Sequence, residues 1–307
     1  MNPAANKLCN YDWLSLVPAG GLGSRLGQLT RAQAKPSLPV AFDGNGEIIR
    51  MIDIPLRAIR AAGGGALVSL CYAAESLDFI HQYDHVDTVK SQISDSPIDT
   101  LLSCLPLLEA SNAEHIGLIP ADTDITPATI QEMRILLDVT GADAVLLATR
   151  QFEGHNIRSV DQAGMLCADS RAYDRIGDMG IHMFKRSWLL ERLYACLAAD
   201  PLCPREVWND IYRVSNPAGR IYLYVPEHDL LDVDMGTPEL FRKTILKYNY
   251  HHRDKNGNVI FPGACLDPAS KYSVALPGSY ATIPLTHAVV PEGGVVLSPD
   301  DYFLCAQ

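Results

Sequence analysis

The chain has 307 residues, of which 48% are hydrophobic and 20% charged, and its formal net charge is −11 at pH 7. This composition allows a sizeable core and excludes a chain that is disordered throughout. The acidic balance argues against a duplex nucleic acid partner, because such a site needs a dense Lys and Arg surface.

The sequence also lacks the signals of export and of membrane insertion. No apolar run reaches the ~18 residues of a membrane span, and residues 1–10 lack the apolar region of a signal peptide. The eight cysteines form no CxxC pair, which is typical of free thiols in a reducing compartment. We therefore expect a soluble cytoplasmic protein without a membrane partner.

Short apolar runs alternate with helical stretches through the first 250 residues. The pattern predicts buried strands at residues 14–19, 66–72, 115–120 and 143–149, and helices at residues 55–62, 98–110 and 127–139. Thr126 is the expected N-cap of the last of these helices, and Pro127 suits its first turn. This alternation predicts an α/β fold with a Rossmann-like, mostly parallel sheet and helices on both faces. Ligands of such sheets gather at the carboxyl ends of the strands.

The composition changes near residue 250. Residues 248–258 are polar and are typical of a linker, and the rest of the chain consists of short apolar pieces broken by Gly and Pro. Two interpretations stay open for these pieces: one or two coils of a β-helix, or an irregular tail packed on the main domain. We divide the chain into a domain of residues 1–250 and a C-terminal β-rich segment of residues 251–307.

A glycine-rich loop with two cations follows the first predicted strand. Gly20, Gly21 and Gly23 allow a phosphate to approach the backbone, whose N–H groups can form an anion-binding nest. Arg25 offers a planar, permanently charged donor for phosphate oxygens. Lys35 adds a second cation on a loop that the following proline stiffens.

Other glycine motifs fit this loop less well. The spacing of Gly21, Gly23 and Gly27 is one residue too wide for a dinucleotide fingerprint, and the G-K-S/T of a Walker A loop is absent. A glycine cluster by itself is usually only a turn. The glycines together with Arg25, Thr30 and the later Ala-Lys-Pro favour a phosphate site.

Residues 20–39 resemble the signature GGxGxRLxxLTxxxxKPxxP of the sugar nucleotide pyrophosphorylases, also called NDP-sugar synthases. Residues 47–56 look like the corresponding segment of the ADP-glucose pyrophosphorylase branch. The resemblance covers roughly residues 14–245. It implies that residues 1–250 form a GT-A-like nucleotidyltransferase catalytic domain, and that residues 251–307 resemble the left-handed β-helical segment of some members.

The resemblance also implies the roles of individual residues. Arg25 and Lys35 would be catalytic. Asp122, in a Pro-Ala-Asp segment, and Asp234, in the segment Asp-Met-Gly-Thr-Pro-Glu, would hold a catalytic Mg²⁺. Asp124 receives no metal role. The residues implied to bind the nucleotide are Ala19, Gly20, Gly21, Leu22, Gly23, Ser24, Ser96, Pro97 and Asp99.

The sequence departs from the family in the region that binds the acceptor. The F-x-E-K-P segment, whose Glu and Lys hold the sugar and its phosphate, is absent, and residues 154–180 contain no lysine. We expect Arg171, Arg175 and Gly180 to contact the acceptor instead, with Arg158 as a further cation in this stretch. The acceptor can therefore be a sugar phosphate or a cyclitol phosphate, and the base of the nucleotide stays open.

The expected activity joins an NTP to a sugar-1-phosphate-like acceptor and releases pyrophosphate. We expect a homo-oligomer, either a dimer or a tetramer. A non-catalytic, nucleotide-binding regulatory subunit of the same family is the alternative. A glycosyltransferase is a third interpretation, since Asp122, Thr123 and Asp124 form a D-x-D string, but the glycine loop with its two cations does not fit it.

Overall fold

The computed structural model describes residues 8, 10–91, 97–150, 156–167, 172–198, 211–212, 219–227 and 235–298. Eight of the described strands form one mixed, mostly parallel sheet. They are β1 (Trp13–Pro18), β4 (Gly65–Leu70), β5 (Val86–Lys90), β6 (His115–Leu118), β7 (Ala144–Thr149), β8 (Asn156–Val160), β9 (Asp174–Lys185) and β10 (Ile221–Tyr224). Their order in the sheet is β10-β7-β9-β6-β1-β4-β5, with β8 paired to β9.

Helices cover both faces of the sheet, as the alternating pattern predicts. The helices on these faces are α1 (Asp53–Ala61), α2 (Pro97–Ala110), α3 (Pro127–Val139) and α4 (Arg186–Ala198). A fifth described helix, α5 (Pro238–Tyr248), packs in a separate buried cluster. One buried cluster joins α2 and α4 to one face, and a second joins α1 and α3 to the other. The Thr126 hydroxyl accepts the Thr129 N–H at 3.1 Å and Pro127 occupies the first turn of α3, so the predicted helix start is confirmed.

The direction of β9 is the main difference from a purely parallel sheet. This strand runs antiparallel to β6, β7 and β8, whereas β1, β4, β5 and β6 pair in parallel with one another. Apolar runs identify buried strands, but they do not give strand direction, because strands buried on both faces look alike whichever way they run.

The segment that resembles the ADP-glucose pyrophosphorylase branch has a structural role here. It follows β2 (Pro39–Phe42) and spans the antiparallel β3 (Ile48–Arg50) and the start of α1. The Asp53 carboxylate accepts the Arg50 N–H at 2.7 Å and the Tyr83 hydroxyl at 2.8 Å. Burial raises the pKa of Asp53, and these two hydrogen bonds oppose that rise. Asp53 therefore joins the β3 end to the loop before β5.

The described part of the C-terminal segment forms three stacked coils whose rungs recur at a constant interval. Val259, Val274 and Val289 pair in parallel register and are fully buried, so successive rungs of the stack are 15 residues apart. The same interval relates Gly263, Gly278 and Gly293, which all have a positive φ of 68–75°. The strands of the stack are β11 (Val259–Ile260), β12 (Val274–Ala275), β13 (Tyr280–Ala281), β14 (Val289–Val290) and β15 (Val295–Val296).

The elements predicted from the sequence do not include this repeat of 15 residues. The repeat is visible in the sequence as valines and glycines at a constant interval, and a search for internal periodicity would have found it. The short rungs carry too little hydrophobic alternation for a search for single strands to detect them.

The coils pack against the N-terminal part of the chain. Val259, Phe261 and Val274 belong to one buried cluster with Leu38 and Phe241, and that cluster also includes the helix after the glycine loop. The division at residue 250 stays a prediction, although its two sides share this cluster. None of the helices in the described ranges combines the length and the apolar character of a membrane span.

Candidate functional site

The glycine loop leaves the carboxyl end of β1, in the middle of the sheet. The Ala19 N–H donates to the Ser69 carbonyl at 3.1 Å and so extends the pairing with β4 by one residue. A Cβ on Gly20 would lie 2.6 Å from the Cys71 Cβ, so the backbone passes β4 at a distance that only glycine allows. Chain connections lead from β1 to β4 on one side and later to β6 on the other, and ligands of α/β sheets bind where the order reverses in this way.

The loop is closed by a threonine. Gly23 has a φ of 63° and precedes a 3-10 helix, Ser24–Thr30. The Thr30 hydroxyl donates to the Gly23 carbonyl at 3.0 Å, and it also lies within hydrogen-bond distance, 3.3 Å, of the Gly27 carbonyl. A Cβ on Gly23 would lie 2.9 Å from the Thr30 Cγ2 and 3.0 Å from the Lys35 Cβ. The fold therefore requires glycine at position 23.

Other predicted nucleotide-binding residues lie on the exposed side of this loop. Gly21, Leu22 and Ser24 are exposed, and a Cβ on Gly21 would meet no atom within 4 Å. Arg25 is exposed in the first turn of the 3-10 helix. The backbone of the loop is thus open to an approaching ligand.

Lys35 and Asp122 meet at this edge of the sheet. Lys35 is buried in a short 3-10 helix, Lys35–Ser37, and its ammonium forms an ion pair with the Asp122 carboxylate. The Asp122 side chain is 25% exposed. The predicted catalytic lysine and the predicted metal ligand therefore lie together, although 87 residues separate them in the sequence.

Backbone hydrogen bonds hold the Asp122 loop against β1. The Ile119 N–H donates to the Leu16 carbonyl at 3.0 Å, and the Ala121 N–H donates to the Pro18 carbonyl at 3.2 Å. These bonds continue the pairing of β6 with β1 beyond the end of β6. Asp122 follows directly at the carboxyl edge, which is the position that the sequence predicts.

The second predicted metal ligand, Asp234, lies outside the described residues, as do Ser96 and Arg171. Met235, the next residue after Asp234, is described and fully buried. Its N–H donates to the Asp122 carbonyl at 3.5 Å. Among the described residues, no three His, Cys, Asp or Glu side chains form a preformed metal cluster. A site for Mg²⁺ does not need one, because this ion binds through one or two carboxylates and keeps water and phosphate ligands.

Asp124, which has no predicted metal role, contacts α5. Its carboxylate accepts the Lys247 ammonium at 2.7 Å and also the Tyr248 hydroxyl. Burial and the hydrogen bond to Asp124 raise the pKa of Tyr248 well above its usual value, so the hydroxyl keeps its proton at neutral pH. Both oxygens of Asp124 have protein partners, which weakens the D-x-D interpretation.

Two further residues predicted to bind the nucleotide, Pro97 and Asp99, lie at the start of a helix near the same edge. Pro97 is the first residue of α2, and Asp99 is partly buried in its first turn. This helix follows β5 and packs against β1, β4 and β5. Asp99 therefore lies at the N-terminal end of α2, and α2 follows the carboxyl end of the parallel strand β5.

The two described acceptor candidates lie at different places along β9. His182 is opposite Leu118, the last residue of β6, so Gly180 lies just beyond that strand, near the start of the Asp122 loop. Gly180 has a φ of 73°, and a Cβ there would meet no atom within 4 Å. Arg175 is exposed five residues earlier, roughly 17 Å along the strand at a rise of about 3.3 Å per residue. The structure brings Gly180 to the site and leaves Arg175 farther away.

A buried polar network lies beside Gly180, and no pattern in the sequence predicts it. The His182 Nδ1 atom and the Tyr212 hydroxyl are 2.9 Å apart, and the Asp178 carboxylate accepts the Gly180 N–H at 2.9 Å. Burial and the nearby Asp178 raise the pKa of Tyr212. Burial lowers the pKa of Arg158, and Asp178 opposes that shift. This network holds the bend of β9 that contains Gly180.

No protein-family profile matches the chain. Among curated proteins, the chain is similar to the glucose-1-phosphate adenylyltransferase of Nitrosococcus oceani, with 23% identity over 214 residues. The similarity covers 59% of this chain and 49% of that protein, so the chain spans about half the length of the curated relative that it matches. At this level, the similarity supports a distant relationship to nucleotidyltransferases.

Proposed function

We propose that this protein is a nucleotidyltransferase that joins an NTP to a sugar-1-phosphate or cyclitol-1-phosphate and releases pyrophosphate. The observation that carries the proposal is the ion pair of Lys35 with Asp122, which places a cation and a partly exposed carboxylate beside the glycine loop. The distant similarity to an adenylyltransferase supports the same class of reaction.

The reaction needs positioning and charge neutralisation more than proton transfer. A phosphate oxygen of the acceptor attacks the α-phosphorus of the NTP and forms a new P–O bond. The bond from that phosphorus to the oxygen that bridges to the β-phosphate breaks, and its electron pair leaves with pyrophosphate. The acceptor phosphate is already an anion at neutral pH, so no general base is required.

The residues of the proposed mechanism either bind and neutralise phosphate charge or leave room for a substrate. Backbone N–H groups of the glycine loop would bind the polyphosphate, and Arg25 would stabilise the departing pyrophosphate. Lys35 would reduce the repulsion between the two anionic substrates. Gly180 would leave room for the acceptor, because it has no side chain and faces open space.

We propose that Asp122 and Asp234 hold Mg²⁺. An oxygen ligand that is partly exposed suits this hard cation, and the hydrogen bond from the Met235 N–H to the Asp122 carbonyl supports the pairing of the two segments. When bound, the metal ion would neutralise phosphate charge. We further propose that the C-terminal coils form a short β-helix; the homo-oligomer stays a prediction.

A pyrophosphate-release assay tests the proposed function. The common NTPs are combined with a panel of sugar and cyclitol 1-phosphates, and pyrophosphatase converts the product to phosphate. We expect release that requires both substrates and is lost in Asp122→Asn. Asp84→Asn is the matched control, because Asp84 is an exposed carboxylate that pairs with Arg60.

Neither alternative would release pyrophosphate in this assay, so two further measurements distinguish them. A regulatory subunit would bind an NTP in a calorimetric titration without turnover, and a glycosyltransferase would consume an added NDP-sugar. Failure to bind any NTP would overturn the proposal.

A further inference from the structure

The side chains of Asp124, Lys247 and Tyr248 form a small cluster that we name the Asp124 clamp. The Asp124 side chain is only 15% exposed, although Lys247 is 57% exposed. Two donors from the last turn of α5 bind this one carboxylate. Hydrogen bonds to an ionised carboxylate are stronger than neutral ones, and two of them fix its orientation as well as its distance.

A second contact joins the other end of α5 to the same loop. Met235 lies just before this helix and donates its N–H to the Asp122 carbonyl. Thr237 then caps α5 by accepting the Leu240 N–H at 3.3 Å. Side chains of a helix lean toward its N-terminus, which lets Lys247 reach back toward the loop. The loop that contains Asp122 and Asp124 is therefore held from both ends of one helix.

We infer that the Asp124 clamp positions the proposed metal ligand Asp122, an inference that rests on the proposed function. Asp122 lies two residues before Asp124, and its carbonyl accepts the N–H of Met235, which precedes α5. A helix is stiff along its axis, so fixing its last turn also fixes the point where the chain enters it. The clamp residues act through the backbone, and none of them is a ligand itself.

Another ion pair on α5 serves as a comparison for the Asp124 clamp. Lys243 and Glu239 are 3.0 Å apart on α5, with both side chains more than half exposed. That pair links two turns of one helix and fixes nothing outside it. Exposed pairs of this kind contribute little to stability. Lys243→Met is therefore a matched control for the clamp.

The test measures metal affinity separately from turnover. Mn²⁺, as a paramagnetic substitute for Mg²⁺, is titrated into the full-length protein and its free fraction is followed by electron paramagnetic resonance. We expect Tyr248→Phe and Asp124→Asn to weaken Mn²⁺ binding about tenfold, as removal of outer-shell partners of a metal site does. Lys247→Met should do the same, and Lys247→Arg should restore part of the affinity. Lys243→Met should bind Mn²⁺ like the wild type.

Melting temperatures and the Mg²⁺ dependence of the rate complete the test. Tyr248→Phe removes one hydroxyl, so the variant should fold, and its rate should recover at higher Mg²⁺ concentration. Wild-type Mn²⁺ affinity in both Tyr248→Phe and Asp124→Asn would overturn the inference, as would an equal loss in Lys243→Met. If Asp122→Asn binds Mn²⁺ like the wild type, the proposed metal site fails instead, and the two failures are thus distinguishable.

Discussion

The Lys35 ammonium forms an ion pair with the Asp122 carboxylate at the carboxyl edge of the central sheet. The lysine side chain is 10% exposed and that of the aspartate 25% exposed. A buried charge without a partner is strongly destabilising, and here the lysine and the aspartate each supply the other's partner. The exposed part of the carboxylate leaves access from solvent. This pair connects the glycine loop to the loop after β6.

Replacing Lys35 tests the lysine as part of the reaction. In Lys35→Met, we expect kcat to fall about 10²–10³-fold, the effect of removing one preorganised charge donor. Lys35→Arg should retain part of the activity, since it keeps the charge. Lys243→Met is the control and should turn over like the wild type. Combining Lys35→Met with Asp122→Asn should cost less than the sum of the two single effects, because the residues are in contact. Steady-state kinetics of all the variants measure these effects. Fully additive losses in the double variant would show that Lys35 and Asp122 act independently, against this prediction.

Replacing Arg25 tests the assignment of this residue to the polyphosphate. Arg25→Ala should lower kcat about 10²–10³-fold and change the acceptor KM little, because the lost contact strengthens as pyrophosphate departs. The control is Arg31→Ala, since Arg31 is an exposed arginine that follows the same 3-10 helix. A normal kcat in Arg25→Ala, or a main effect on the acceptor KM, would contradict the assignment.

The backbone of Gly23 gives a prediction about binding rather than turnover. Gly23→Val puts a β-branched side chain at a φ of 63°, beside Thr30 and Lys35. A left-handed backbone costs a residue with a side chain about 1–2 kcal/mol, so the loop should shift and NTP binding should be lost. Gly44→Ala is the control, because a Cβ there meets nothing within 4 Å. Calorimetric NTP titration and chemical unfolding measure both effects, and unchanged NTP affinity in Gly23→Val would refute this prediction.

Truncation tests the division at residue 250. Ending the chain after Tyr250 exposes side chains of the shared cluster, such as Leu38 and Phe241, which are fully buried in the whole chain. Exposure of each costs about 1.5–3 kcal/mol, and the total stability of a domain is about 5–15 kcal/mol. We expect the melting temperature to fall by at least about 10 °C. A chain that ends at residue 298 is the control, because it keeps all three coils. An unchanged melting temperature after truncation at 250 would show that residues 251–307 are a separate unit.

Local signals in the sequence predict seven of the fifteen labelled strands and helices of residues 1–250, namely β1, β4, β6, β7 and α1 to α3. Residues 127–139 read as a helix because Thr126, Pro127 and an apolar period lie close together in the chain, and the structure has α3 at those positions. The glycines and Lys35 form a recognisable pattern for the same reason. The 15-residue interval of the coils is equally present in the sequence, but it extends over three coils and is missed when short segments are taken singly.

Only the tertiary structure decides which of these elements meet. The sequence contains Lys35, Asp122 and Asp124, but it does not show that Lys35 pairs with Asp122 or that Asp124 binds the end of α5. The antiparallel direction of β9, which brings Gly180 to the site and leaves Arg175 away from it, is likewise a result of packing. Periodicity and capping depend on neighbours within a few residues. Contacts between residues about 90 or more apart depend instead on how helices and strands bury their apolar faces together, which no local pattern specifies.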